Sequence, residues 1–384
     1  MNFDAIIIGG GIIGITCGFY LTRAGKKVLV MEQGRIGGGT TGNSFAWANA
    51  TSKTTDQTYH ELNAAGLLGY QALQAEFGPD AIGVISRGAL QIAKKTDAAG
   101  LQSLQSQARA LDSFGYPCRW IDHAELAALE PHMDLTDDSQ ALFAPDDICL
   151  YAPHFTRFMA GRIVTAGGTV WQDCTALELL ANDNGQVTGV RCEKGEMHAP
   201  NAILATGPDT PETLSALTGY EGYSSRFPMR KVPGLLLTTP PVTDGLLRHM
   251  TYAPDDNEVH LLPDVGGGIK IGSDDVDGLI ADDQSAENLR NAGQMLLDRA
   301  QKLIPDLAAD IDHCTLRLGI RAYPEDGRTI AGPIPGAKGF YLVATHSGIT
   351  LAPVIGQLMA ELIDTGQTPD RLTPFSLGRF SGFS

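Results

Sequence analysis

Apolar positions along the chain fall into short continuous runs alternating with stretches of helical spacing. Ala5-Ile6-Ile7-Ile8, Val28-Leu29-Val30-Met31 and Ala202-Ile203-Leu204 are uninterrupted runs bounded by glycine, charge or amide. Such runs predict strands buried on both faces of a sheet. A helix is predicted from about Ile12 to Ala24, stopped by Gly25. Helical spacing recurs from about Asp56 to Phe77 and from Phe155 to Ala166, over much of 97–130, and from Glu287 to Ile304. Strands are predicted over 88–93, 169–180, 186–193 and parts of 227–273. Gly339 to Ala344 reads as a strand entering a turn, and a helix follows with Leu351, Ile355, Leu358, Met359, Leu362 and Ile363 on one face, closed by Gly366. The alternation predicts an α/β fold. Gly34 to Ala50 breaks the pattern, being too rich in glycine and amide side chains for a packed strand or a regular helix. So long a loop has to be held by something.

The first two runs frame a recognisable turn. Gly9-Gly10-Gly11-Ile12-Ile13-Gly14 follows one strand and opens a helix, and the next strand ends in Glu32. In that context Gly9 turns the chain sharply, Gly11 admits a pyrophosphate close to the backbone, and Gly14 lets the helix pack on the sheet. Phosphates at a helix N-terminus meet free N–H groups and a favourable dipole, while a carboxylate such as Glu32 accepts hydrogen bonds from a ribose. The bland alternative is a glycine-rich turn in an ordinary α/β sheet. The strand before it and the acid after the second strand favour the dinucleotide reading.

Bulk properties narrow the class. A chain of 384 residues with 43% hydrophobic content suits two domains. With 28 basic and 44 acidic residues the net charge is −16, which disfavours nucleic acid as a partner. Cys17, Cys118, Cys149, Cys174, Cys192 and Cys314 show no CxxC pair and no metal-ligand spacing, and read as free thiols of a reducing compartment. The first strand begins almost at Met1, with no secretory leader pattern, so a cytoplasmic location is expected. No apolar run approaches the ~20 residues of a transmembrane helix, which leaves peripheral membrane contact open.

Three motifs together resemble the D-amino acid oxidase family of flavoproteins, which includes D-amino acid dehydrogenases, glycine oxidase and sarcosine oxidase. They are the glycine turn with Glu32, the segment Ala205-Thr206-Gly207, and the pair Gly319-Ile320-Arg321-Ala322-Tyr323-Pro324 and His346-Ser347-Gly348-Ile349-Thr350. The resemblance covers nearly the whole chain and is weakest over 95–145. It implies an α/β fold with a Rossmann-like FAD-binding domain and a discontinuously inserted α+β substrate domain. The expected cofactor portions are 1–80, 151–222 and 312–384, and the substrate portions 81–150 and 223–311. Ala322 and Thr329 stand where the family usually has proline, so the turn near the flavin can differ in shape. Covalently flavinylated members tend to carry cysteine near the position of Arg321, and its absence here implies non-covalent FAD.

The resemblance also implies roles. Gly9, Gly11, Ile12, Ile13, Gly14, Glu32 and Gln33 would hold the adenosine and pyrophosphate, with Thr40, Thr41, Asn43 and Ser44 on the loop passing the flavin. Thr175, Ala176, Ala205, Thr206, Gly207, Gly319 and Arg321 complete the expected cofactor set with His346, Ser347, Gly348, Ile349 and Thr350. The last segment would turn backbone N–H groups toward the flavin, and His346 is not assigned as a base. Arg321 would hold a substrate carboxylate, a task that suits its planar fork; a structural salt bridge is its alternative. His260, where glycine-oxidase-like members present a tyrosine, Tyr252 and Asn49 are further substrate-side candidates, and Phe45 and Trp47 are expected cavity walls. Lys53 reads more readily as a solvated lysine, although Lys53 or Arg230 facing the cavity would favour a dicarboxylate.

The activity implied is oxidation of the C–N bond of an amino acid or N-substituted glycine by hydride transfer to FAD, giving an imine that hydrolyses. The expected partners are a small amine substrate and dioxygen or a quinone as electron acceptor. Alternatives are a secondary-amine dicarboxylate of the iminodiacetate type, proline or hydroxyproline as substrate, and a flavin-binding protein without turnover.

Overall fold

The computed structural model describes residues 1–219, 222–253 and 258–383. Its smaller main sheet has the strand order Ile330–Pro333, Phe340–Ala344, Ala202–Leu204, Ala5–Ile8, Val28–Met31, Thr169–Trp171. All neighbours are parallel except the first pair. Alternate side chains of its central strands enter two cores: Ala5, Ile7, Val28 and Val30 pack with Ile15 and Phe19 of the helix Ile12–Arg23, while Ile6, Ile8, Leu29 and Met31 pack on the opposite face. Burial on both faces explains why these strands are apolar throughout. A separate antiparallel sheet joins Gly195–His198, Val187–Cys192 and Ala176–Ala181.

The larger sheet runs in the order Thr315–Pro324, Met229–Thr238, Ile269–Gly272, Val259–Pro263, Met250–Ala253, Val84–Lys94, Ser139–Leu150, Trp47–Ala48, with Arg119–Ile121 also pairing on Ser139–Leu150. The helix Ala286–Leu303 covers one face, packing Leu296, Leu297 and Ala300 against Leu235, Leu261 and Ile271. Strand alternation then sends His260 to the other face, where the site lies.

Predicted helices are observed at Gln57–Phe77, Ala98–Ser113, His123–Leu129, Ala152–Thr165 and Gly348–Thr365. Asp56 caps the first of these by accepting the Tyr59 N–H at 3.0 Å. Residues 254–257, inside the stretch expected to contain strands, lie outside the described residues. Two segments differ from the pattern-based expectation. The loop after Glu32 contains a helical turn, Thr40–Asn43, and a two-residue strand, Trp47–Ala48, which pairs with Cys149 and Ile148. The segment expected to open the last cofactor portion begins in the larger sheet: Arg321 pairs with Val232, and the chain crosses to the smaller sheet at Ile330–Pro333. Among the described residues no helix is long and apolar enough to cross a membrane.

Candidate active site

A cavity of about 930 Å³ is lined by the glycine turn, the loop 38–53, the strand ends at Tyr252 and His260, the Arg321 strand and the turn 345–350. It contains every candidate named from the sequence except Gly14 and Arg230. At one end Gly9 has φ +111°, and a Cβ there would lie 2.4 Å from the Ala205 carbonyl oxygen, so a side chain is excluded. Gly14 faces the turn rather than the cavity: its Cβ would lie 2.0 Å from the Gly9 carbonyl oxygen. Its contribution is close packing of helix on turn, the role its place in the glycine turn predicts. Gly11 is open, its nearest obstacle being Thr41 Oγ1 at 3.4 Å.

Glu32 is fixed by two backbone donors, Gly10 N–H at 2.7 Å and Gly34 N–H at 2.8 Å, one on each carboxylate oxygen. Each oxygen keeps acceptor capacity for a hydroxyl. Gln33, Thr175 and Ala176 line the same end, joined by Cys174, which the sequence gave no reason to choose. The long loop is held largely by its own side chains. Thr40 Oγ1 donates to the Ile320 carbonyl at 2.6 Å, Thr41 Oγ1 accepts the Ile12 N–H at 3.1 Å, and Ser44 Oγ donates to the Thr41 carbonyl at 3.1 Å. Asn43 Nδ2 donates to the Gly39 carbonyl at 3.1 Å.

Beside the Arg321 strand, Ser347 precedes the helix Gly348–Thr365 without capping it by its side chain. The first-turn residues Gly348, Ile349 and Thr350 line the cavity, so the positive end of this helix faces it. His346 packs 4.7 Å from the Tyr323 ring centroid, and its Nδ1 is buried with no hydrogen-bond partner among the described residues. Burial, reinforced by the charges of Lys53 and Arg321, pushes its pKa down to about 3. The imidazole is therefore neutral at ordinary pH.

Arg321 is engaged through Nη2, which donates to Asp277 Oδ2 at 2.6 Å and to the Pro233 carbonyl at 3.0 Å. Nη1 stands 3.5 Å from Asp274, and Nε is buried without a partner among the described residues. The pair packs on Gly234, where a Cβ would come within 3.2 Å of Asp277 Oδ2 and 3.3 Å of Arg321 Cζ. Burial pushes Asp277 up to about 6, against the pull of Arg321.

The sequence profile of the FAD dependent oxidoreductase family matches residues 4–362. The chain belongs to that family. It is similar to a glycine oxidase from Geobacillus kaustophilus (strain HTA426), 26% identical over 99% of this chain and 98% of the relative. A solved glycine oxidase structure from Geobacillus kaustophilus has a TM-score of 0.81 at 23% identity, covering 99% of this chain and all of the other. An L-proline dehydrogenase structure from P. horikoshii has a TM-score of 0.84 at 21% identity, covering 98% of this chain and 97% of the other. The protein is thus an FAD-dependent oxidoreductase acting on CH–NH donors.

The residues of this flavoprotein fit its cofactor. An open Gly11 at a helix start, an anchored Glu32 and an orphaned His346 Nδ1 offer a backbone cradle, hydroxyl acceptors and an unused ring nitrogen along one cavity.

Tyr252, His260 and Asn49 line the cavity. Tyr252 and His260 are register partners with ring centroids 4.5 Å apart, and burial pushes the Tyr252 hydroxyl up to about 12, keeping it protonated. Asn49 lines the cavity, yet its amide braces the loop: Oδ1 accepts from Ser52 Oγ at 2.7 Å and Nδ2 donates to the Trp47 carbonyl at 3.4 Å. Phe45 and Trp47 wall the cavity. Arg230 does not line it and lies over the Tyr323 ring.

Sequence reasoning missed the acids. Asp274 and Asp277 line the cavity from the short helix Asp274–Leu279. Glu258 Oε1 lies 3.0 Å from His260 Nε2 and accepts the Asp274 N–H at 3.1 Å. Glu258, His260 and Asp274 bring their ligand atoms within 4.8 Å of one another. The acid-rich start of a helix at Asp274-Asp275-Val276-Asp277 was the available signal.

Proposed function

We propose that the protein oxidises the C–N bond of an α-amino acid or N-substituted glycine, with the substrate's carboxylate drawn to the cationic end of the cavity. The observation that carries this reading is the single cavity joining the Gly11–Glu32 cradle to Arg321. Similarity to a glycine oxidase and to an L-proline dehydrogenase supports it. Bound FAD supplies a two-electron acceptor for the substrate's α-hydride.

The chain supplies position and electrostatics. Positive charge near Arg321 orients a carboxylate and, through it, the α-carbon. Tyr252 offers a protonated hydroxyl and His260 a polar edge from the opposite strands. Neutral His346 and the N-terminus of the helix Gly348–Thr365 present a fixed dipole without a competing full charge. Proton loss from the substrate amine is assigned to water.

An anaerobic absorbance scan of the holoenzyme tests this reading, using glycine, sarcosine, iminodiacetate, D-alanine, D-proline and hydroxyproline isomers in turn. Bleaching of the oxidised-flavin spectrum by a carboxylated amine is expected, and readmitted air then separates dioxygen from a quinone as electron acceptor. A flavin that none of them bleaches contradicts it.

A further inference from the structure

Lys53 lies in the loop joining the strand Trp47–Ala48 to the helix Gln57–Phe77 and lines the cavity. The side chains around it hold the loop. Asn49 Oδ1 accepts from Ser52, Thr51 Oγ1 donates to the buried Asp147, and Gln107 Nε2 donates to the Thr51 carbonyl at 2.9 Å. The Asn49 N–H reaches Thr350 Oγ1 at 3.1 Å, and the Lys53 N–H closes a turn on the Ala50 carbonyl at 3.0 Å. The stem of Lys53 thus rises from a loop braced to both the larger sheet and the helix Gly348–Thr365.

Its ammonium, by contrast, has no hydrogen bond and no ion pair with any described residue. It belongs to the Arg321 end: both cations act on His346, and Asp274, 3.5 Å from Arg321, also attracts Lys53. Burial lowers the Lys53 pKa, and the charge of Asp274 opposes that shift.

Charge accounting then separates the two cations. Arg321 is balanced by Asp277 and further satisfied by a backbone carbonyl. Asp274 is the remaining acid near both, and its side chain is 68% exposed, so water screens it. Lys53 is the cation of this end that has no hydrogen-bonded anion among the described residues.

We infer that Lys53 is the direct anchor of the substrate's carboxylate, and that Arg321, locked to Asp277, sets the charge behind it. This deepens the proposed function and rests on it. A site with one cation free of a bonded anion selects amines bearing one carboxylate, and a second carboxylate would meet Asp274 and Asp277.

The test uses FAD-loaded protein and two non-oxidisable probes, furan-2-carboxylate and its uncharged amide, each titrated by flavin difference spectroscopy. The wild-type protein is expected to prefer the carboxylate, and Lys53→Met to lose about tenfold or more of that preference with FAD content unchanged. Lys53→Arg, which keeps the charge, should retain most of it. An undiminished preference in Lys53→Met overturns the assignment of Lys53 and leaves the proposed function standing. A wild-type protein indifferent to the probe's charge overturns both.

Discussion

Asp277 bridges the Arg321 guanidinium and the backbone of the neighbouring strand, its Oδ2 2.6 Å from Arg321 Nη2 and its Oδ1 accepting the Leu235 N–H at 2.7 Å. A carboxylate substrate arriving here meets a cation that already has an anion. Because burial holds the Asp277 pKa near 6, the balance depends on pH. Above that value Asp277 is ionised and repels the incoming carboxylate; below it the repulsion is lost. Binding of furan-2-carboxylate to the wild-type holoenzyme should therefore tighten as pH falls through about 6. Asp277→Asn should bind it tightly and with little pH dependence over the same range. A parallel pH dependence in both proteins would remove Asp277 from this role.

Removal of Arg321 should be costly for a specific reason. Arg321→Met leaves Asp277 buried beside the site without its partner, and the expected loss is about 2–5 kcal/mol in substrate or probe binding with FAD retained. If Arg321 acts mainly by neutralising Asp277, adding Asp277→Asn to that variant should recover about tenfold of the loss. Additive losses in the double variant would instead make Arg321 the direct anchor.

Glu32 is held by the Gly10 and Gly34 N–H groups, away from the acids of the substrate end. Glu32→Gln should weaken FAD retention by about tenfold, the scale of a hydrogen bond to a charged group. Relative rates across amine substrates should not change. Equilibrium dialysis against FAD measures the first, and a substrate panel at saturating FAD the second.

Asp147 is buried beneath the loop that carries Lys53, accepting hydrogen bonds from Trp47, Thr51 and Tyr116. Desolvation pushes its pKa up to about 7. The native carboxyl therefore keeps its proton where the unfolded one, with a pKa of about 3.9, has released it. Unfolding releases a proton between these values, so stability should fall as pH rises from about 4 to 7. Asp147→Asn should flatten that part of the Tm-versus-pH curve, and an unchanged slope would exclude the linkage.

The cofactor end was legible in the sequence because its signals are local. Gly9, Gly11, Gly14 and Glu32 lie within one strand-turn-helix-strand unit, where each residue type answers a steric or hydrogen-bonding need of the turn. Arg321 and the His346–Thr350 segment were found through the family resemblance, since nothing in their spacing alone brings them to one cavity. The Asp277 partner was hidden because it joins Arg321 across 44 residues of sequence, through a short helix opposite the strand. Lys53 misled the sequence reading for another reason: a lysine in a polar loop is usually solvated, and it is the bracing of that loop against Thr350 and Asp147 that leaves Lys53 half-buried along the cavity.

The most direct measurement of the central claim is the anaerobic rate of flavin reduction by matched amines that differ only in a carboxylate, such as proline against pyrrolidine and sarcosine against dimethylamine. The carboxylated member of at least one pair should bleach the flavin about a hundredfold faster or more at equal concentration, the scale of a charge-assisted anchor. Equal rates within the pairs that react would contradict recognition through a carboxylate at the cationic end of the cavity.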